Sequence, residues 1–225
     1  MNASVIIVSA GKSTRMNGID KQFFNLRSIP VLIRSIKAFD SLDCVNEIIV
    51  VTSQDSFYET QKLLSEYSFF KKISLTVGGE TRQQSVFKGI KLIDPLCDYI
   101  AVHDGARPLV LEKSILKAFE AAKKYEAAAL GVPLKETVKK VSNGIVEQTL
   151  DRNGFVFVQT PQIFKKELYF LGMKNAVKNS LDFSDDCQLI EAVGGKIYIT
   201  SGEYSNIKIT TPEDLKIAEI LLTEG

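Results

Sequence analysis

The sequence predicts an α/β domain of three layers, a mostly parallel sheet with helices packed on both faces. Three observations point to it. Short uninterrupted apolar runs recur through the first half, as strands buried on both faces require. Each run is followed by a stretch with apolar residues at helical spacing. The 225 residues are 45% hydrophobic and 24% charged, a soluble globular balance that excludes disorder and fibrous repeats as the main state. Residues 1–225 read as one domain, long enough to bury a sizeable core.

The elements follow in order. Ser4–Val8 is a buried-strand run, and Pro30–Phe39 carries apolar residues at helical spacing. Glu47–Val51 is the next strand, followed by a helical stretch over Ser56–Tyr67. Ile73–Val77 and Tyr99–Val102 are further strands, leading into helices over Arg82–Ile93 and Leu111–Tyr125. The pattern breaks over residues 136–158, which are polar, β-branched and twice interrupted by Asn-Gly. Asn143-Gly144 between two β-type runs is a hairpin signal. This segment is either a surface hairpin or an arm that pairs with another subunit. Helices follow at Lys166–Val177 and Asp186–Val193, with strands near Lys196–Thr200 and Ile207–Ile209. Thr211-Pro212-Glu213-Asp214 starts the last helix, Pro212–Leu222. Thr is an N-cap, Pro suits the first helical position and the acids suit the first turn.

Charge and cysteine usage narrow the function classes. Lys and Arg number 28 against 27 Asp and Glu, for a net charge of +1. No basic excess offers a footprint for nucleic acid or membrane. Three scattered cysteines, Cys44, Cys97 and Cys187, form no CxxC pair, so reduced thiols in a cytosol are expected. A single histidine excludes a His-rich metal site. The first residues lack a signal-peptide pattern, and the apolar run Val5–Val8 is too short to span a bilayer. A cytoplasmic protein is expected.

Three constellations sit where strands end. The first is Ser9-Ala10-Gly11-Lys12-Ser13-Thr14-Arg15-Met16. It is not a P-loop, because the first glycine of that motif would fall on Ile6, inside the strand. It is not a dinucleotide fingerprint, because only Gly11 matches. What remains is a small-residue turn with Lys12, Arg15 and then Lys21. That is either an ordinary basic loop or a polyphosphate clamp, and three cations at the ligand end of a sheet favour the clamp. The second is His103-Asp104-Gly105-Ala106-Arg107-Pro108. Asp104 can hold Mg²⁺ against phosphates and Arg107 can fork onto a phosphate, or the pair is a structural turn. His103 reads as a packed strand-end residue rather than a general base. The third is Gly78-Gly79-Glu80-Thr81-Arg82-Gln83-Gln84-Ser85. Its glycines free the backbone to approach a base or ribose, and Arg82 and Ser85 share a helix face; the alternative is a plain turn and helix cap.

Taken together, the segments resemble a known family. SAGKSTRM with Lys21-Gln22-Phe23, GGETRQQSV, HDGARP, VPLKETVKK, LDRNG, QTPQIF, FSDD and NIKITTPEDL occur in order over almost the whole chain. They resemble the 2-C-methyl-D-erythritol 4-phosphate cytidylyltransferases. The resemblance implies a Rossmann-like nucleotidyltransferase fold with a protruding β-arm. It implies transfer of a cytidylyl group from CTP to methylerythritol phosphate with Mg²⁺ or another divalent cation. By the same resemblance, the backbone of Ser9, Ala10 and Gly11, with Gly79, Glu80, Arg82 and Ser85, would bind the nucleotide. Arg15, Lys21 and Lys208 would be catalytic cations, and Asp104 would bind the metal. Asp104, Arg107, Thr137, Arg152 and Thr160 would serve the phosphate substrate. The arm would exchange between subunits of a homodimer, carrying Thr137 and Arg152 to the neighbour's site. Ser9, Ser13, Asp20 and Ser184 stand where the family commonly has Ala, Gly, Pro and Thr. A ribitol 5-phosphate cytidylyltransferase and a non-catalytic nucleotide-binding protein are the alternatives; Lys135-Glu136-Thr137 and Leu150–Gly154 fit the methylerythritol enzyme better.

Overall fold

In the computed structural model, residues 1–11 and 20–223 are described. The strands are β1 (Ala3–Ser9), β2 (Asn25–Leu26), β3 (Ile29–Pro30), β4 (Val45–Thr52), β5 (Lys72–Val77), β6 (Tyr99–Asp104), β7 (Ala127–Pro133), β8 (Val138–Ser142), β9 (Ile145–Leu150), β10 (Val156–Lys165) and β11 (Tyr198–Ser201). The helices are α1 (Val31–Asp40), α2 (Phe57–Ser65), α3 (Arg82–Ile90), α4 (Glu112–Tyr125), α5 (Lys166–Lys178), α6 (Cys187–Glu191) and α7 (Pro212–Leu221).

The central sheet has seven strands in the order β11-β7-β10-β6-β1-β4-β5. All neighbouring pairs are parallel except those of β10, which runs antiparallel to both β6 and β7. The alternation of side chains along each strand divides the core in two. Val5 and Ile7 of β1, with Ile48 and Val50 of β4, face Leu32, Ile36 and Phe39 of α1 and Ile115 and Phe119 of α4. Ile6, Ile49 and Val51 face the opposite way, onto Val86 and Ile90 of α3, Tyr169 of α5 and Leu189 and Ile190 of α6. That two-sided burial is why Val5–Val8 of β1 and Ile48–Val51 of β4 are unbroken apolar runs. A smaller cluster joins α7, through Leu215 and Ala218, to Leu26, Val31, Leu109 and Ile209.

The arm is a two-stranded hairpin of β8 and β9. Ser142 pairs with Ile145, so Asn143 and Gly144 form the two-residue turn. Their φ values of 49° and 81° are both left-handed, the conformation an Asn-Gly hairpin turn needs. The second Asn-Gly, Asn153-Gly154, lies instead in a short 3-10 turn over Arg152–Gly154.

Three expectations change. Ile207–Ile209 forms no strand; it is an extended segment joined to the β6 turn by the Ile209 N–H on the Ala106 carbonyl, 2.8 Å. The helix expected over Asp186–Val193 is limited to Cys187–Glu191. Strand β7 was not anticipated, because its opening Ala-Ala-Ala reads as helix by propensity. It follows α4 directly, through Glu126 in a left-handed helix-ending conformation.

The Thr-Pro-Glu-Asp start of α7 is held by Asp214. Its Oδ2 accepts hydrogen bonds from Thr210 N, Thr210 Oγ1 and Thr211 N, each 2.8 Å. Replacing Asp214 by Ala should therefore cost about 1 kcal/mol, the usual loss for a helix cap. The check is a lower urea midpoint with an unchanged m value.

Candidate active site

Strand register brings four carboxyl ends together. Ser9 of β1 lies beside Thr52 of β4, which lies beside Val77 of β5; on the other side of β1, Val8 lies beside Asp104 of β6. The turns after β1, β5 and β6 therefore open at one edge, where open α/β sheets bind ligands.

Asp104 is the centre of that edge. It is buried, yet three cations from different segments face its carboxylate. Lys208 Nζ is 2.9 Å from Oδ2, Arg107 Nε is 3.6 Å from Oδ2, and Arg82 Nε is 3.7 Å from Oδ1. Burial alone would raise the Asp104 pKa, but Lys208, Arg82 and Arg107 outweigh it and hold the group well below the usual carboxylate range. Asp104 is thus a fixed anion in a positive surround. Each cation has its own anchor. Arg82 Nη1 is 2.6 Å from Asp186 Oδ2. Arg107 Nη1 donates to the Asn206 carbonyl at 2.7 Å, while its Nε has no hydrogen-bond partner among the described residues. Lys208 precedes Ile209, whose N–H is bonded to Ala106. Its side chain is the most open of the three, 41% exposed against 23% for Arg82 and 12% for Arg107.

Asp104 supplies the hard, ionised oxygens that a divalent cation takes. No group of three or more His, Cys, Asp or Glu among the described residues could hold a metal by itself. An ion here would take its remaining ligands from phosphates and water, the usual manner of Mg²⁺ at phosphate sites.

Behind Asp104 lies a polar triad. The Asp104 N–H donates to Thr160 Oγ1 at 3.0 Å, and Thr160 Oγ1 is 3.1 Å from His103 Nδ1. His103 Nε2 is 3.2 Å from the Arg107 carbonyl. A carbonyl can only accept, so Nε2 carries the proton and Nδ1 accepts from the threonine hydroxyl. His103 is fully buried against Phe39, and burial lowers its pKa to about 4. It is a neutral packed residue that sets the β6 turn.

The Gly78-Gly79 turn closes against the first loop. A Cβ on Gly78 would lie 2.6 Å from Ser85 Oγ and 2.7 Å from the Ala10 Cβ, so no side chain fits there. Ser85 Oγ accepts from Gly79 N at 3.0 Å and donates to the Thr81 carbonyl at 2.9 Å. Ser9 Oγ donates to the Val51 carbonyl at 2.9 Å. Both hydroxyls are thus spent on shaping loops, and these positions present mainly backbone to a ligand. Glu80 is exposed at the rim, its N–H bonded to Gln84 Oε1 at 3.0 Å. Lys21 is half-buried on the segment leading to β2. Lys12 and Arg15 lie outside the described residues.

This geometry agrees with what the chain is similar to. A family model described as 2-C-methyl-D-erythritol 4-phosphate cytidylyltransferase matches residues 3–224. The chain belongs to the 2-C-methyl-D-erythritol 4-phosphate cytidylyltransferase family. A protein of that name from Caldanaerobacter subterraneus is 44% identical over 225 residues, covering 99% of each chain. One from Dehalococcoides mccartyi is 42% identical over 221 residues, covering 98% of this chain and 96% of its own. Among solved structures, a 4-diphosphocytidyl-2C-methyl-D-erythritol synthase from Anaerococcus prevotii superposes with a TM-score of 0.87 at 31% identity, covering 98% of this chain and 96% of that one. The fold is that of these nucleotidyltransferases, with the mostly parallel sheet described above.

Within the cytidylyltransferase frame, the structure gathers Arg82, Asp104, Arg107, Thr160 and Lys208 into one cluster. Thr137 and Arg152 stand outside it, exposed where the arm joins the body. Arg152 Nη1 donates to the Lys135 carbonyl. Asp20 accepts from Gln22 N through Oδ1 and from Ser56 Oγ through Oδ2, each at 3.1 Å. A hydrogen-bonded carboxylate thus restrains the backbone next to Lys21. Two builders of the site carried no role in the sequence reading, Asn206 and Asp186. Their motifs, NIKITTPEDL and FSDD, were visible, but neither residue has a signal of its own. Asn206 acts through its carbonyl, and Asp186 pairs with a residue 104 positions away.

His103 is the only histidine in the chain, which makes its titration legible in stability. Its folded pKa of about 4 lies below the ordinary value of 6.5. The unfolded chain therefore takes up the proton first as pH falls. Stability should be complete above about pH 6.5 and fall below it with one proton's slope, about 1.4 kcal/mol per pH unit. In His103→Gln that slope between pH 6.5 and 5 should vanish in urea unfolding curves; an unchanged slope would assign it to other groups.

Proposed function

We propose that this protein transfers the cytidylyl group of CTP to 2-C-methyl-D-erythritol 4-phosphate, giving 4-diphosphocytidyl-2-C-methyl-D-erythritol and pyrophosphate in isoprenoid precursor synthesis. The observation that carries the reading within the family is the Asp104 cluster, a buried anion faced by three cations at the ligand edge of the sheet. An acceptor phosphate oxygen bonds to the α-phosphorus of CTP as the bond to pyrophosphate breaks. No covalent enzyme intermediate is needed. Both reactants are anions, so the work is positioning and charge stabilisation.

Lys208, the most open cation of the cluster, would leave Asp104 and meet a substrate phosphate. Lys21 and Arg15 would grip the triphosphate from the first loop. Gly79, Glu80 and the Ser9–Gly11 backbone would receive the nucleoside. Ser85 and Arg82 would hold that pocket in shape. A divalent cation such as Mg²⁺ held by Asp104 would neutralise phosphate charge. Arg107, Thr160 and the arm residues Thr137 and Arg152 would hold the acceptor.

The arm supports a homodimer in which Thr137 and Arg152 reach the neighbour's site. The hairpin exposes Val141, Ile145 and Val146, with Phe155 and Phe157 exposed at its base, and a two-stranded hairpin is marginal by itself. A second copy would cover these side chains. No helix among the described residues is long and apolar enough to cross a membrane. The three cysteines are free, which supports a reducing, cytoplasmic setting.

The decisive assay is pyrophosphate release from CTP with Mg²⁺, comparing methylerythritol phosphate with ribitol 5-phosphate. Turnover only with the former is expected; turnover only with ribitol phosphate would replace the acceptor and the pathway. Lys208→Ala, Lys21→Ala and Arg15→Ala should each lower kcat by roughly 10²–10³, the usual loss for one transition-state donor. An unchanged kcat would remove that residue from the clamp. Arg152→Ala should raise KM for the acceptor and leave CTP binding intact. Val146→Ser with Phe157→Ser should shift the protein from dimer to monomer in sedimentation; a dimer that persists would place the interface elsewhere.

A further inference from the structure

Arg82 approaches Asp104 without bonding it. Its Nη1 is 2.6 Å from Asp186 Oδ2, whereas its Nε stops 3.7 Å from Asp104 Oδ1, beyond hydrogen-bond range. Asp186 is almost wholly buried, and both its oxygens are taken: Oδ1 accepts from the Tyr169 hydroxyl at 2.6 Å. Tyr169 is fully buried in α5. The Asp186 N–H donates to Gln162 Oε1 at 3.0 Å, which ties the Asp186 backbone to β10. The neighbouring chain is laced to the start of α3 as well. Thr81 Oγ1 donates to Asp182 at 3.0 Å, Gln83 Nε2 to the Leu181 carbonyl at 2.8 Å, and Phe183 N to Gln83 Oε1 at 3.0 Å.

We propose that Asp186, braced by Tyr169, is a positioning residue that holds Arg82 back from Asp104 and so keeps an oxygen of Asp104 open to a divalent cation. An arginine fork released beside a carboxylate closes on it in a bidentate pair. Held by Asp186, the guanidinium is near enough to favour the ionised carboxylate and too far to occupy it. Asp186 cannot touch substrate itself, since both its oxygens are committed inside the protein. A buried ion pair is also a poor route to stability alone, because apolar packing of the same volume does as well. The inference rests on the cation role given to Asp104 above.

The test is CTP binding by calorimetry with Mg²⁺ and in EDTA, at a temperature where circular dichroism shows each variant folded. In Asp186→Asn the Mg²⁺ enhancement of CTP affinity, the ratio of affinity with Mg²⁺ to affinity in EDTA, should fall by roughly 10–100-fold, as when other outer partners of metal ligands are lost. Tyr169→Phe should show the same loss to a smaller degree, and it carries the test if Asp186→Asn does not fold. Because Asp186 acts through Arg82, adding Asp186→Asn to Arg82→Gln should change the enhancement no further. An unchanged enhancement in folded Asp186→Asn, or a full additional loss in the Arg82→Gln background, overturns the proposal. Absence of any Mg²⁺ enhancement in wild type overturns the cation role of Asp104 and, with it, this inference.

Discussion

A buried carboxylate that must stay ionised organises the ligand edge of this protein. Asp104 ends a central strand, where water cannot solvate it fully. Its charge is tolerable only because Lys208, Arg107 and Arg82 converge on it from three separate segments. Each of these segments must be held in place. Asp186 fixes Arg82, the Asn206 carbonyl fixes Arg107, and the bond between Ile209 and Ala106 brings Lys208 alongside. One ionised group therefore ties together β6, the start of α3, the turn before α6 and the extended segment before α7. Removing Asp104 would leave buried cations unpaired, which is why such clusters act as units.

The charge balance also gives the site its sign. Three cations face two buried carboxylates, Asp104 and Asp186, leaving a positive surplus in a chain that is nearly neutral overall. The surplus is directed, because the innermost cations are locked by hydrogen bonds and only Lys208 is substantially open. A locked charge lowers the energy of an arriving anion with little reorganisation. An open one can change partners. The chain thus separates a fixed field from a movable contact, an arrangement suited to bringing two phosphates together.

Much of this was legible in the sequence, for definite reasons. β1, β4 and β6 each carry an unbroken apolar run because both faces are covered, and two of the three turns at the ligand edge follow β1 and β6 directly. The Asn143-Gly144 turn and the Thr-Pro-Glu-Asp helix start announce themselves through backbone chemistry that few other residues satisfy. The failures also have causes. The alanine-rich opening of β7 carries no strand propensity; burial between β10 and β11 makes it a strand. Ile207–Ile209 has a strand's composition but no strand beside it to complete a ladder. The hydroxyls of Ser9 and Ser85 hold the loops, a role that residue type alone does not announce. Asp186 and Asn206 matter through partners distant in sequence, and no local pattern records such partners.

The two halves of the site obey different physics. The nucleotide half proposed here would grow from strand ends locked between two layers of core, with the turn before α3 cross-bonded over short distances. The acceptor half would lie partly on a hairpin whose apolar side chains face outward and whose strands pair only with each other. Such a hairpin has little reason to hold one conformation unless another surface covers it. In the dimer proposed here, the contact that orders the arm is also the contact that delivers Thr137 and Arg152 to a neighbouring Asp104 cluster. Assembly and acceptor recognition would then draw on the same buried area. A change that weakened the arm's packing would reduce acceptor binding before it disturbed CTP, although it touched neither ligand.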